Sequence, residues 1–141
     1  MSGAIHTDAF FAHPPEKVWR ALTDTVILAS WLMPNNFEPR LGQSFTFRTD
    51  PVPAQGFDGI VHCRVLELVE PKRLRISWVA GGLDTTVTWQ LVPEGRGTRL
   101  FTSHEGFGER DPRQQAARRV LGGGWVGHLA RRLEVALVGM P

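Results

Sequence analysis

Strict alternation of apolar and polar residues in two neighbouring segments constrains the fold of this chain more than any other feature. In residues 73–79, Leu74, Ile76 and Trp78 share one face, and residues 85–92 repeat the pattern with Trp89 on the apolar face. Alternation with a period of two is typical of a strand with one buried and one solvated face. The two segments are joined at Gly81-Gly82, a turn signal, so they predict an antiparallel hairpin.

The same criteria predict four more strands, at residues 5–11, 44–48, 57–69 and 98–106, with loops rich in glycine and proline between them. Residues 34–39 are predicted to be irregular or a short strand. Together the six strands therefore predict an antiparallel sheet whose apolar face needs a cover.

Three helices are predicted around this sheet. Two short ones cover residues 17–22 and 26–31, and Thr23-Asp24 between them can cap the second. A long one begins at Asp111-Pro112, an N-cap followed by proline, and runs to about Val138. Its apolar residues recur every four positions: Leu121, Trp125, Leu129, Leu133 and Leu137. The prediction is an α+β fold, a curved antiparallel sheet around a long C-terminal helix, with two short helices after the first strand.

Three consecutive glycines, Gly122-Gly123-Gly124, lie inside the predicted long helix. Each glycine in a helix interior costs about 1 kcal/mol relative to alanine. Two interpretations remain open. The helix is interrupted and begins near Trp125, or Gly124 removes bulk where the helix faces the sheet and leaves space for a ligand.

Length and composition limit the classes of protein to consider. The chain has 141 residues, which predicts a single domain over residues 1–141. Cys63 is the only cysteine, so no intrachain disulfide can form, which suits the cytoplasm. We expect no signal peptide and no membrane span. The net charge is +2, and the arginines of the last helix fit a solvated face better than a nucleic-acid site.

The chemistry-bearing residues are few. The five histidines lack the spacing of a local metal motif, and no phosphate-binding glycine motif is present, so we expect no metal and no cofactor. His104 shares the strand face of Leu100 and is predicted to point towards the helix. A histidine there can serve as an acid or base, but a polar anchor for a ligand is the favoured interpretation. Cys63 is interpreted as a small buried hydrophobe.

Several segments together resemble the family named after the activator of the ninety-kilodalton heat-shock protein's ATPase. The motifs that carry the resemblance are His13-Pro14-Pro15-Glu16-Lys17-Val18-Trp19, Leu28 to Trp31, Val65-Leu66-Glu67-Leu68, Thr85-Thr86-Val87-Thr88-Trp89, Pro93-Glu94-Gly95, Gly106-Phe107 and Gly124-Trp125 with His128-Leu129. They occur in the family's order over nearly the whole chain. One departure is Trp31-Leu32, where many members carry two tryptophans.

The resemblance implies the helix-grip fold of the START-like (SRPBCC) superfamily, with a hydrophobic tunnel between the sheet and the C-terminal helix. We therefore expect a small apolar or aromatic ligand, in a cavity lined by Trp31, Met33, Phe45, Phe47, His62, Trp78, Trp89, His104, Phe107, Gly124, Trp125, His128 and Leu129. The alternatives are an enzyme that uses a histidine acid or base in the same cavity and a co-chaperone-like interaction module. A homodimer through an exposed edge strand also stays open.

Overall fold

A computed structural model describes residues 4–141, except for the side chain of Val126. Six strands form one antiparallel sheet in the order β1-β6-β5-β4-β3-β2. Their bounds are β1 Ile5–Phe11, β2 Ser44–Arg48, β3 Ile60–Val69, β4 Arg73–Ala80, β5 Leu83–Glu94 and β6 Gly97–Glu105. The chain between β1 and β2 contains α1 (Pro15–Thr23) and α2 (Thr25–Trp31), and a short 3-10 turn, Pro53–Gln55, precedes β3. The α+β prediction and the helix-grip arrangement are confirmed.

The strand predictions agree with the observed strands, and β1 and β2 have the predicted bounds. The start of β3 is the main difference, because pairing begins at Ile60 rather than at residue 57. Gly59 explains the delay. Its φ is +85°, and an added Cβ would lie 2.5 Å from the carbonyl oxygen of Thr49. The backbone turns here in a conformation that only glycine adopts readily, so the ladder starts after it.

The C-terminal helix is continuous but not uniform. It consists of α3 (Pro112–Gly123), a π-helical turn (Gly124–His128) and α4 (Leu129–Gly139). Asp111 caps α3 by accepting a hydrogen bond from the backbone N–H of Arg113. The glycine triplet therefore marks neither a break nor an undisturbed α-helix. It leads into a wider turn, a feature often found at functional sites.

The two parts of this helix differ in packing. In α4, Leu133 and Leu137 are buried in the core, which lies between the inner face of the sheet and the helices. None of the residues of α3, all of which the structure describes, is buried. The sheet and α4 thus bury the core, whereas α3 packs against it through partly buried residues such as Ala117 and Leu121.

Asp24 fixes the start of α2, which places Trp31 at its end. One carboxylate oxygen of Asp24 accepts hydrogen bonds from the backbone N–H groups of Val26 and Ile27, at 3.0 and 3.1 Å. Because alanine leaves both groups without this partner, Asp24→Ala should lower the free energy of unfolding by about 1 kcal/mol. Urea denaturation measures this change. The exposed Asp50→Ala control should stay within about 0.5 kcal/mol of the wild type, and an equal loss in both variants would contradict the capping role.

Candidate functional site

A cleft lies between the free edge of the sheet at β1 and the C-terminal helix. Its lining comes from β1, α2, β5, β6 and the helix, and consists of Thr7, Asp8, Ala9, Phe11, Trp31, Trp89, Leu100, Thr102, Trp125, Leu129, Ala130 and Leu133. About 20 Å³ is open to the centres of water molecules. That is room for one or two waters, so the cleft is nearly filled by its own side chains.

Three tryptophan rings contribute to the apolar wall of the cleft. The Trp31 indole N–H donates to the carbonyl of Ala21 at 2.8 Å, which fixes that ring against α1. Trp89 and Trp125 meet edge to face with centroids 5.9 Å apart. This geometry is favourable for aromatic pairs. The aromatic part of the wall is therefore held in place by defined contacts.

The polar groups of the lining are two threonines and one aspartate. Thr7 of β1 and Thr102 of β6 are register partners on the inner face. Neither hydroxyl forms a side-chain hydrogen bond with the described part of the chain. Asp8 contributes differently, because its carboxylate pairs with Arg99 at 2.7 Å. The two hydroxyls are the groups best placed to orient a molecule in the cleft.

Behind Trp125, His104 is completely buried and forms a hydrogen-bonded relay. The indole N–H of Trp125 donates to His104 Nδ1 at 3.2 Å. On the other side, His104 Nε2 lies 2.8 Å from Thr85 Oγ1, and that hydroxyl donates to the carbonyl of Trp78, also at 2.8 Å. An indole nitrogen can only donate, so Nδ1 carries no proton and Nε2–H donates to Thr85. The ring is a neutral histidine with one defined tautomer.

Burial also governs the protonation of His104. Loss of solvation lowers the pKa of the ring to about 4, because a charge would sit among aromatic side chains. Phe107 lies against the ring with centroids 4.7 Å apart. Both ring nitrogens are already used, so His104 has the geometry of a satisfied core histidine.

The sequence-predicted cavity residues fall into three groups. Those that line the cleft are Trp31, Trp89, Trp125 and Leu129. Those that pack within or against the core without lining the cleft are Met33, Phe45, Phe47, Trp78, His104 and Phe107. Those that do neither are His62, Gly124 and His128. The aromatic side chains of the second group form a row that extends from β2 to Trp125. The ring centroids of Phe47 and Trp78 lie 5.6 Å apart, and those of Trp78 and Trp125 lie 5.9 Å apart.

Three placements differ from the predictions. His62 is exposed and pairs with Val79 on the outer face, because Val61 and Cys63 beside it point inward. His128 is exposed at the end of the π turn. Gly124 does not remove bulk facing the sheet, since an added Cβ would meet only the Leu129 side chain, at 3.9 Å. With His104 saturated and the other two histidines at the surface, the hypothesis of a histidine-based enzyme loses the observation that motivated it.

Much of the true lining was not predicted. The residues that the sequence analysis missed are Thr7, Asp8, Ala9, Phe11, Leu100, Thr102, Ala130 and Leu133. Strand parity could have identified Thr102, which shares the inner face of Leu100 and His104. Cys63 is buried as expected, and burial raises the pKa of its thiol to about 12, so it stays protonated.

The described residues contain no group of three or more His, Cys, Asp or Glu side chains that could hold a metal ion. Within the same residues, no helix has the length and apolar character needed to cross a membrane.

Comparison with known proteins places this architecture among solved structures. The family model described as "Activator of Hsp90 ATPase homolog 1-like protein" matches residues 12–138. Protein MLL2253 from Mesorhizobium loti is 31% identical, with 98% of each chain covered and a TM-score of 0.85. CalU16 from Micromonospora echinospora is 26% identical over 96% of this chain and 76% of its own, with a TM-score of 0.76. Protein BH1534 from Bacillus halodurans, 24% identical with 95% and 96% covered and a TM-score of 0.76, shares the fold. A search of curated proteins found no match.

Proposed function

The chain belongs to the family of activator of Hsp90 ATPase homolog 1-like proteins, whose fold is typically a ligand-binding one, and we propose that it binds a small apolar or aromatic molecule in the cleft between β1 and the C-terminal helix. The observation that carries this proposal is the lining itself. Trp31, Trp89 and Trp125 present apolar surface, and the hydroxyls of Thr7 and Thr102 supply a pair of free polar groups. An apolar wall with a few convergent polar groups is the usual composition of a small-molecule site.

Binding requires the cleft to widen, since it holds only about 20 Å³ for water centres in this conformation. The side facing the sheet is firm, because β1 is paired with β6 along its whole length. The opposite side is less constrained, because α3 buries none of its residues and runs directly into the π turn that carries Trp125. Movement of this part of the helix would admit a ligand without disturbing the sheet.

A fluorescent naphthalene probe such as ANS tests the proposal. The folded wild-type protein should bind the probe, and unlabelled naphthalene should displace it. Ala130 lines the cleft and is half-buried. Ala130→Leu should therefore fill the space and weaken probe binding about fivefold or more, the effect of roughly 1–3 kcal/mol of overpacking.

The matched control is Ala136→Leu, a half-buried alanine on the same helix that packs against the core outside the cleft. Its affinity for the probe should stay within about twofold of the wild type, since it leaves the cleft unchanged. Circular dichroism checks that both variants fold. No probe uptake by the folded wild type, or an equal loss in the two variants, would overturn the proposal.

A further inference from the structure

Trp125 occupies a position that a ligand ring could take over. Its indole lines the cleft together with Trp89 and also donates to the buried Nδ1 of His104. Edge-to-face contacts hold the same ring against Trp78, with centroids 5.9 Å apart. Trp125 therefore connects the cleft to His104, because its ring lines the one and hydrogen-bonds to the other. If the indole moved aside, the cleft would extend to the imidazole.

The backbone around Trp125 offers little resistance to such a move. An added Cβ at Gly123 would meet nothing within 4 Å, and at Gly127 only the Arg131 side chain, at 4.0 Å. Gly124 is similarly open, with one side-chain contact at 3.9 Å. The π turn contains Gly124 and Gly127, and Gly123 directly precedes it, so its local hydrogen bonding can change without clashes at these three glycines. The helix before it, α3, adds no buried anchor.

The hydrogen bonds of His104, behind the Trp125 ring, restrict which molecules can replace the indole. Thr85 gives its hydroxyl proton to the carbonyl of Trp78 and accepts from His104 Nε2–H, so the other ring nitrogen, Nδ1, can only accept. A molecule that replaces the indole must donate to Nδ1, or it leaves a buried acceptor unpaired. Such an unpaired group weakens binding more than a neutral contact strengthens it.

We propose that the ligand is a planar aromatic molecule with one hydrogen-bond donor, of the phenol or indole N–H type, which displaces the Trp125 ring and donates to His104 Nδ1. This inference rests on the proposed function, because it assumes that the cleft binds an apolar molecule. It adds a specificity that the apolar lining alone does not supply. The ring faces of Trp78 and Trp89 would hold the aromatic plane, and the imidazole would select the donor.

Indole and benzofuran form the test pair, since they have nearly the same size and shape and differ in the N–H donor. The wild-type protein labelled with nitrogen-15 is titrated with each compound, and the tryptophan indole N–H signals are followed by nuclear magnetic resonance. The signal of Trp125 is assigned from its absence in Trp125→Phe. We expect indole to bind at least about tenfold more tightly than benzofuran and to shift the Trp125 signal more than those of the other tryptophans.

Two variants sharpen the comparison. His104→Phe removes the acceptor, so the ratio of the affinities for indole and benzofuran should fall to about one. Trp125→Phe removes the competing donor and keeps a ring at the position. Indole should therefore bind this variant more tightly than the wild type, and the affinity for benzofuran should rise less. This second variant keeps the test decisive if His104→Phe does not fold.

The outcomes separate the two proposals. Equal affinities for indole and benzofuran, or a preference that survives in folded His104→Phe, overturn the donor inference and leave apolar binding in place. An unchanged preference in Trp125→Phe overturns the donor inference as well. Failure of both compounds to bind at millimolar concentration, together with failure of the naphthalene probe, overturns the proposed function and the inference with it.

Discussion

Replacement of Trp125 by alanine is expected to lower the free energy of unfolding by about 3–5 kcal/mol, the usual range for truncation of a buried tryptophan. The side chain is 5% exposed and contacts Trp78, Trp89 and His104 through its ring. Truncation removes these contacts and leaves His104 Nδ1 without its donor. Because the glycines around Trp125 supply no side chains that could collapse into the space, the cavity should persist. Urea denaturation followed by circular dichroism measures the loss.

Two further variants separate packing from hydrogen bonding in this prediction. Trp125→Phe keeps an aromatic ring but removes the hydrogen-bond donor. Its free energy of unfolding should therefore lie between those of the wild type and Trp125→Ala. Val135→Ala on α4 serves as the surface control, since Val135 is 73% exposed, and its effect should stay within about 0.5 kcal/mol. A loss below about 1 kcal/mol in Trp125→Ala would show that the ring is not an integral part of the core.

This prediction also bears on ligand binding. A ligand that displaces the Trp125 ring must replace most of the contacts that the alanine variant loses. The apparent affinity of the wild type is therefore lower than the intrinsic affinity of the opened cleft, in proportion to the fraction of molecules that are open. A large loss in Trp125→Ala would mean that only well-matched aromatic ligands bind.

The strands were predictable from the sequence because alternation is a local signal. Residues 73–79 and 85–92 carry it without interruption, and the strands observed there, β4 and β5, include both segments. The start of the last helix was equally predictable, because its signal is also local. The aspartate accepts a hydrogen bond from a backbone N–H of the first turn, and the proline that follows needs no such partner. Where a local exception intervened, as at Gly59 before β3, the predicted bound was off by three residues.

The π turn was not predicted, although the spacing of the apolar residues contained a sign of it. Leu121, Trp125, Leu129, Leu133 and Leu137 repeat every four residues. In an α-helix, four residues advance by about 400°, so each step drifts by about 40° around the axis. A stripe that stays on one face over this length needs a turn that rotates less per residue. The π turn at Gly124–His128 supplies it and keeps Trp125 and Leu133 directed towards the core.

The position of the cleft could not be read from periodicity, because it depends on how the edge of one strand meets a distant helix. Thr7 and Ala130 line the same space but lie far apart in sequence. The role of His104 could likewise not be predicted from the sequence. Parity placed it on the inner face, and only the distances to Thr85 and Trp125 show that both its nitrogens are satisfied. The wrong prediction that His62 lines the cavity was avoidable. Its apolar neighbours Val61 and Cys63 face inward, so His62 between them must face outward.

The second large effect expected is a loss of stability at acid pH that His104 causes. Its pKa is about 4 in the folded protein because the ring is buried, whereas a solvated histidine has a pKa of about 6.5. Between these values the unfolded chain binds a proton that the folded protein does not, so stability rises with pH in this window and is lost as pH falls. The shift corresponds to roughly 3 kcal/mol between pH 7 and pH 4.

The side chains described in contact with the ring are Thr85, Trp78, Phe107 and Trp125, which have no group that titrates in this range. Carboxylates elsewhere also respond to acid. The Arg73 side chain, for example, lowers the pKa of Glu67 by hydrogen bonding to it. The measurement is therefore a difference between the wild type and His104→Gln, which can still accept from Trp125 and donate to Thr85 but does not titrate.

Urea denaturation of both proteins at a series of pH values from 7 to 4 gives two curves of unfolding free energy against pH. The wild type should lose stability relative to His104→Gln as pH falls below about 6.5, with the difference growing until the pH nears 4. Parallel curves would mean that the imidazole accepts a proton in the folded state at little cost. In that case the relay from Trp125 to Trp78 would not hold the ring neutral, and the donor requirement inferred for the ligand would lose its physical basis.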